Sequence, residues 1–418
     1  MTTVQPVNRV LPGTPEFTDL LDQIRSGAKD RDLNDENPFD QVNALKRAGF
    51  GTLRLPTDLG GAGFTVPQLF STIIDVAAAD PIVAHIFRTH FWFVEERLRT
   101  LAGEERSEPG NGTPDPRSRQ WLARVVEGKT VGNAFSEKGS NAVGSLVFNT
   151  RLLPVPGGYR LTGEKYYSTG TLFSDYLTVT ATTDHDSVAI VVVPADRDGV
   201  RLVDDWDGFG QRRTGTGRTT FTGVDVAPDE VLSDTPYDAP PVPTVQYASL
   251  QLYIHAVVAG VLQTIVDDGV ELLRSRTRSF SHALTESPVD DPLYQRQLGE
   301  LASTAYVARA AVLDAAGAIE AATNSVHPTI AGAPNADLAA EAQLKVAKVK
   351  VHLDAVAPEA ATRLLELGGA SAASRQRNLD RHWRNIRTIT LHNPVAYKAR
   401  VIGQNLLHDT PIPANAYF

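Results

Sequence analysis

The sequence predicts an α+β protein of several domains, in which a helical region is followed by β-strands and then by a bundle of long helices. Apolar residues recur at helical spacing up to about residue 102. Short runs rich in Val, Thr, Ile and Tyr follow from 131 to 232, and helical spacing returns after the proline-rich segment 234–243. A chain of 418 residues also favours two or three domains. We place the domains at 1–130, 131–235 and 236–418.

Two helix starts are visible in the N-terminal region. Thr65 precedes Val66-Pro67, and Asp80 precedes Pro81, which is the pattern of an N-cap residue followed by proline in the first turn. The helix after Asp80 carries His90 within a stripe of apolar residues. A histidine in such a stripe is more often a buried core residue than a catalytic one.

The middle region predicts an antiparallel sheet or barrel. Its five apolar runs are separated by the turn-forming segments PGG, DHDS and DRDG. The glycine pairs Gly208/Gly210 and Gly215/Gly217 precede a strand, whereas a dinucleotide-binding loop precedes a helix. We therefore interpret these glycines as turn residues.

The C-terminal region predicts a four-helix bundle. Its apolar periodicity is helical over four long stretches, at 245–280, 291–324, 336–368 and 394–408.

Composition excludes several functional classes. A net charge of −9 provides no positive field for nucleic acid, and no apolar run approaches the length of a membrane span. The absence of cysteine excludes disulfides, thiol nucleophiles and iron–sulfur clusters. His85 and His90 are five residues apart, so they lack the spacing of a helical zinc site, and we expect no metal. Residues 1–17 show no export signal, which favours the cytoplasm.

Two polar segments could bind a planar heterocycle. VGNAFSEKGSN at 131–141 offers amide, hydroxyl and backbone donors in a Gly/Ser-rich turn. KYYSTGT at 165–171 combines aromatic rings with hydroxyls, which suits stacking and hydrogen bonding. A polar loop and cross-strand aromatic packing are the simpler explanations of the two segments.

Together these segments resemble the acyl-CoA dehydrogenase superfamily. The three motifs that carry the resemblance occur in order: GNAFSEKGSN, GEKYYSTG and GFGQRRTGTGRTTFTGVDVAPDEVL. Farther along, LDRHWRNIRTITLHNPVAYK at 379–398 and DTPIP at 409–413 resemble the branch of two-component flavin monooxygenases that includes the dibenzothiophene monooxygenases. The resemblance implies an N-terminal helical domain, a middle antiparallel β-barrel, a C-terminal four-helix bundle and assembly as a homotetramer.

The function implied by this branch is oxygenation by reduced flavin. The flavin is FMN by likeness to the branch, with FAD as the alternative, and it is supplied by a separate NAD(P)H-dependent flavin reductase. Molecular oxygen is the co-substrate, and the resulting flavin C4a-hydroperoxide oxygenates an S-, N- or C-centre of a small, largely apolar or aromatic substrate. An acyl-CoA dehydrogenase or oxidase acting on a thioester is the alternative enzyme, and a flavin-free binding protein is the alternative outside catalysis.

One residue, His392, differs in its chemistry from the acyl-CoA dehydrogenase pattern and favours the monooxygenase. The segment TLHNP stands where many acyl-CoA dehydrogenases carry the glutamate that abstracts the α-proton of a thioester. The resemblance implies that His392 and His90 converge near the flavin ring, where a histidine can supply a proton. It also implies that Asn133 and Thr169 assist catalysis by hydrogen bonding to the ring.

The resemblance also assigns the flavin contacts. Contacts to the ring and ribityl chain are expected from Asn133, Ser136, Tyr167, Ser168, Thr169 and Trp206. A helix over 270–284 would bind the phosphate through Arg278 and His282, since a guanidinium fork matches phosphate oxygens. His282 stands where relatives carry arginine, and Ser371 and Ile389 replace polar or basic residues, so details of substrate or cofactor binding should differ.

Overall fold

A computed structural model of the chain describes residues 9–106, 117–139, 147–330, 333–413 and 418. Within these residues the chain forms twelve α-helices and eight β-strands. Helices come first, strands follow, and helices return, so the predicted fold class is confirmed.

The N-terminal domain contains seven helices. Both predicted starts are confirmed: the Thr65 hydroxyl accepts a hydrogen bond from the Gln68 N–H, and the Asp80 carboxylate accepts from the Ile82 N–H. Each cap satisfies a backbone donor that the helix itself leaves unpaired. The helices are α1 Pro15–Ser26, α2 Ala28–Asn34, α3 Phe39–Arg47, α4 Val66–Ala79, α5 Pro81–Ile86, α6 Arg88–Arg106 and α7 Arg117–Val126.

The middle domain is one eight-stranded sheet. Its strand order is β6-β7-β3-β2-β4-β5-β8, and β1 pairs with β4. The five predicted strands are present, together with β1, β2 and β8. The strands are β1 Val131–Ala134, β2 Arg151–Val155, β3 Gly158–Lys165, β4 Tyr176–Thr182, β5 Ser187–Pro194, β6 Val200–Val203, β7 Arg218–Val226 and β8 Val231–Pro236.

The sheet differs from the expected purely antiparallel arrangement in two pairings. β1 and β2 both run parallel to β4, whereas the other pairs are antiparallel. A tight hairpin turn imposes antiparallel pairing, but β1 enters the sheet from α7 and has no such turn to β4. Its direction is therefore set by the helical domain.

The C-terminal domain is built around α8. Contrary to the expectation that no apolar stretch is long enough for a membrane span, this helix is long and apolar enough by length and composition. Most of it is buried against α4, α9 and α10, as in the core helix of a bundle. At Gly260 an added Cβ would lie 2.6 Å from the Ile74 carbonyl oxygen, so only glycine permits α4 to approach so closely. The helices are α8 Gln246–Arg274, α9 Pro292–Thr323, α10 Ala336–Gly368, α11 Asp380–Thr390 and α12 Val395–His408.

A buried ion pair joins two of the motifs. Lys165 at the end of β3 is fully buried, and its ammonium donates to the Glu137 carboxylate at 2.8 Å and to the Phe135 carbonyl at 3.1 Å. Burial lowers the pKa of Lys165 to about 8, although Glu137 opposes the shift. Glu137 also accepts from the Thr150 hydroxyl. The pair therefore fixes the segment after β1 against β3.

We predict that Lys165→Met destabilises the fold by about 3–5 kcal/mol, because Glu137 is left buried without its cation. Lys165→Met combined with Glu137→Gln should lose less than the sum of the two single changes. Urea denaturation measures both. Arg296→Met, which breaks an exposed pair with Glu300, is the control and should change stability little. Additive losses at positions 137 and 165 would contradict the coupling.

Candidate active site

The junction of α5 and α6 touches both other domains. His85 Nδ1 lies 3.0 Å from the Gln211 side-chain oxygen in the middle domain. Arg88 Nε donates to the Leu250 carbonyl of α8 at 3.0 Å, and its Nη1 lies 3.4 Å from His392 Nε2. The segment from His85 to Arg88 therefore lies where the three domains meet, and we take it as the floor of the candidate cleft.

Two glycines let loops of the sheet domain approach this floor. Gly170 has a φ of +83°, and an added Cβ would lie 2.4 Å from the Ile86 carbonyl oxygen. At Gly210 a Cβ would lie 2.1 Å from the Arg384 carbonyl oxygen of α11. Any larger residue at either position would push the sheet domain away from the helices.

The predicted flavin contacts Asn133, Ser136, Ser168 and Thr169 lie in β1 and in the segments that follow β1 and β3. Asn133 in β1 and Ser136 just after it are half-buried, and the Ser136 carbonyl accepts from the Tyr166 N–H at 2.8 Å. This bond places the first motif beside the second. Thr169 is buried, and its hydroxyl lies 2.8 Å from the Thr216 hydroxyl. Residues 140–141, which end the first motif, lie outside the described part of the chain.

Two further predicted flavin contacts are aromatic. Tyr167 is about half exposed, and its ring centre lies 6.0 Å from that of Trp206. Trp206 Nε1 donates to the Gly210 carbonyl. Tyr167 holds a φ of +57°, a left-handed conformation that is uncommon for an aromatic residue and often marks a functional position.

Several buried polar atoms near the cleft have no hydrogen-bond partner within the described residues. They are His85 Nε2, Ser168 Oγ, Gln211 Nε2 and Thr388 Oγ1. Buried polar groups are nearly always satisfied, so these atoms are suited to a polar ligand. A flavin ring edge, which carries donors and acceptors in one plane, fits this chemistry.

His392 is exposed, but the surrounding protein displaces much of the water around its ring. This desolvation, followed by the positive charge of Arg88, holds the pKa of His392 well below its usual value. His392 is therefore neutral at pH 7. Arg88 donates to Nε2, which leaves the ring proton on Nδ1. The neutral ring therefore offers an N–H, and the supply of a proton by His392 stays a prediction.

A second buried lysine holds the turn that carries His392. Lys350 is 1% exposed, and its ammonium donates to the Thr390 carbonyl at 3.0 Å and to Asp354 at 2.7 Å. On the other side of His392, the Asn393 amide donates to the Gln251 side-chain oxygen at 2.9 Å. The turn is therefore anchored to α8 and α10.

His90 lies in the core, where both of its ring nitrogens are engaged. Nε2 is 2.9 Å from the Gly51 carbonyl oxygen, and Nδ1 accepts from the Val131 N–H at 3.3 Å. The ring therefore ties α6 to the start of β1. This geometry supports a positioning role for His90, and the proton transfer that we expected has no nitrogen available to it.

The expected phosphate-binding helix is not present. α8 ends at Arg274, so Arg278 and His282 lie exposed in the connection to α9. Hydroxyl side chains recur here and bond to the backbone: Ser275 donates to the Leu272 carbonyl and Ser279 to the Glu286 carbonyl. Such bonds compete with helix formation. Phosphate binding by Arg278 and His282 stays a prediction, now from a loop.

His85 and Arg88 were not among the predicted site residues. Their spacing of three places them near one another across the α5–α6 junction, a signal that was available. The spacing of His85 and Arg88 points to a site only once their contacts with Gln211 and His392, which are distant in the chain, are known.

The family comparisons agree with this geometry. The family description "Acyl-CoA dehydrogenase, middle domain" matches residues 134–224, and "Acyl-CoA dehydrogenase, C-terminal domain" matches residues 252–397. The chain belongs to the acyl-CoA dehydrogenase superfamily.

Within this superfamily the chain is similar to flavin monooxygenases over nearly its whole length. It is 29% identical to a dibenzothiophene monooxygenase of Rhodococcus erythropolis, over 94% of this chain and 93% of the relative. It is 26% identical to the "Probable FMNH2-dependent monooxygenase SfnC" of Pseudomonas putida, over 95% of each. The crystal structure of TdsC from Paenibacillus sp. A11-2 with FMN and indole matches with a TM-score of 0.83 and 29% identity, over 96% of this chain and 98% of TdsC. This member of the superfamily is a flavin-dependent monooxygenase.

We predict that His90 makes stability fall as the pH is lowered below about 6.5. Burial lowers the pKa of His90 to about 4, so the unfolded state takes up a proton that the folded state refuses. The contribution is about 1.4 kcal/mol per pH unit between 6.5 and 4. The free energy of unfolding of wild type minus that of His90→Gln should therefore shrink on acidification. A constant difference would contradict this, and the exposed His185→Gln is the control.

Proposed function

We propose that this chain uses reduced FMN, delivered by a separate NAD(P)H-dependent reductase, to insert one atom of dioxygen into a small substrate. The observation that carries the proposal is the contact of His392 Nε2 with Arg88, on the segment that also reaches Gln211 and the loop of Gly170 in the middle domain. The Nε2 of the neutral His392 ring accepts from Arg88 and its Nδ1 carries the proton. No lone pair is then free to abstract the α-proton, as the acyl-CoA dehydrogenase alternative requires.

The chain's residues fit an FMN ring in this cleft. Asn133 and Thr169 offer an amide and a hydroxyl to its polar edge, and Ser168 adds a buried hydroxyl. Tyr167 and Trp206 close the outer end. Reduced FMN activates dioxygen and supplies two electrons, so that one oxygen atom enters the substrate and the other leaves as water.

The proposed role of His392 is to donate a hydrogen bond from its Nδ1–H to the reacting oxygen. Arg88 holds the opposite ring nitrogen, so the orientation of the N–H is set before the substrate arrives. Lys350 and Asn393 fix the turn behind it. His90 contributes by holding β1 in place.

Exposed apolar side chains support the proposed homotetramer. Tyr306 on α9 is 75% exposed, and Leu406 and Leu407 on α12 are 70% and 77% exposed. Apolar residues grouped on outward helix faces are typical of subunit interfaces. We place the assembled enzyme in the cytoplasm, where a flavin reductase has NAD(P)H.

We predict that Thr169→Val weakens FMN binding by about threefold to tenfold, the effect of losing one hydrogen bond. Quenching of FMN fluorescence by added protein measures the change. The control is Thr222→Val, which alters an exposed residue of β7. Equal affinities for Thr169→Val and wild type would place the ring elsewhere.

We predict that His392→Leu lowers the oxygenation rate at least about a hundredfold, because the positioned N–H is lost, while FMN affinity changes little. The assay combines FMN, a flavin reductase, NADH and oxygen with thioethers, indoles and amines. NADH consumption without product should rise in the variant. The exposed His408→Gln is the control. Reduction of bound FMN by an acyl-CoA thioester, without any reductase, would instead establish the dehydrogenase alternative.

A further inference from the structure

Residues 204–213 join β6 to β7 and belong to neither strand. They carry Trp206, which we expect to contact the flavin at the outer end of the candidate cleft. Trp206 Nε1 donates to the Gly210 carbonyl at 3.1 Å, so the indole is held by the backbone of its own segment. Strand pairing does not fix this backbone. Its position therefore depends on contacts outside the sheet.

Helix α11 contacts three consecutive residues of this segment. The Asn385 side-chain oxygen accepts a hydrogen bond from the Gln211 N–H at 2.7 Å, and both residues are buried. Arg384 Nη1 donates to the Phe209 carbonyl at 3.3 Å. Gly210, between them, lies so near the Arg384 carbonyl that an added Cβ would be 2.1 Å from its oxygen. The helix therefore fixes the stretch of backbone that holds the indole.

Side chains on both sides strengthen this contact. The Trp383 and Phe209 rings stack with centres 6.0 Å apart. Arg384 also donates to the Asp32 carboxylate of α2 at 2.8 Å and to the Asn378 side-chain oxygen at 2.8 Å. The Asp32 side chain is only 7% exposed, so water screens this ion pair weakly. Partners from the N-terminal and C-terminal domains therefore fix Arg384 before any ligand binds.

The same helix leads to His392. α11 ends at Thr390, whose carbonyl accepts from the buried Lys350 ammonium at 3.0 Å, and His392 follows two residues later. One helix thus connects the segment that carries Trp206 to the turn that carries the histidine. Because regular elements hold binding groups more precisely than loops do, α11 can set the position of Trp206 relative to that of His392.

We propose that Arg384 and Asn385 are positioning residues for FMN, which act through Trp206 by holding residues 204–213 against α11. Neither residue is among the expected flavin contacts, and both side chains are engaged by protein groups. Loss of either anchor lets the segment, and with it the indole, move away from the ring, which lowers the affinity for FMN. The inference rests on the FMN site of the function proposed above.

The test is a double-mutant cycle between the two anchors and Trp206, measured as FMN affinity by calorimetry. Asn385→Leu leaves the buried Gln211 N–H without its acceptor, and Arg384→Met removes the bond to the Phe209 carbonyl. Each change should weaken FMN binding at least about fivefold, the effect of losing a buried hydrogen bond. In a Trp206→Leu background the same changes should weaken it less than about twofold, because residues that act through one another are not additive.

Arg197→Met is the matched control. Arg197 likewise bonds a carboxylate, that of Glu230, and a carbonyl, that of Asp225, but both bonds lie outside residues 204–213. Its FMN affinity should equal that of wild type. Urea denaturation gives the stability of each variant, and FMN is titrated where all remain folded. Arg384→Met changes a partly exposed side chain, so it tests the role even if Asn385→Leu does not fold.

Unchanged FMN affinity in Arg384→Met, or equal losses with and without Trp206, would overturn the inference. Wild type that shows the coupling but oxygenates none of the thioethers, indoles and amines would support the positioning role and reject the oxygenase. No binding of FMN by wild type would reject both.

Discussion

The candidate site depends on how closely the α5–α6 junction approaches the sheet domain. A Cβ at residue 170 would lie only 2.4 Å from the Ile86 carbonyl oxygen, so glycine is required for the two domains to meet this closely. On either side of Ile86, His85 reaches Gln211 and Arg88 reaches both α8 and His392. One short segment therefore sets the width of the cleft and the chemistry of its floor.

Both sides of the candidate cleft are fixed by the same kind of interaction. Lys165 bridges a carboxylate and the Phe135 carbonyl next to the predicted flavin contacts, and Lys350 bridges a carboxylate and the Thr390 carbonyl behind His392. Burying an ammonium group costs free energy, and the paired carboxylate and carbonyl offset that cost. What the fold gains is a backbone that holds its donors in place before a ligand binds, which electrostatic catalysis requires.

Much of the fold could be predicted because its signals are local. The caps at Thr65 and Asp80 satisfy donors within three residues, and the periodicity of α10 reproduces its observed bounds. Local signals did not predict the features that depend on side-chain hydrogen bonds to the backbone or on contacts between distant parts of the chain. The helix expected over 270–284 ends at Arg274 because hydroxyl side chains bond to the backbone beyond it. The direction of β1 in the sheet could not be predicted from its own residues either, because β1 enters the sheet from α7.

The sequence by itself determined the order of the domains, the flavin motifs and the presence of an imidazole where a dehydrogenase carries a carboxylate, because each is a property of neighbouring residues. Only the tertiary structure decided which partners the histidines have. Gly51 and Val131 engage both nitrogens of His90, whereas desolvation and the charge of Arg88 keep His392 neutral and Arg88 orients its ring. A histidine's charge and free nitrogen depend on burial and on partners, and here most of those partners are far away in the chain.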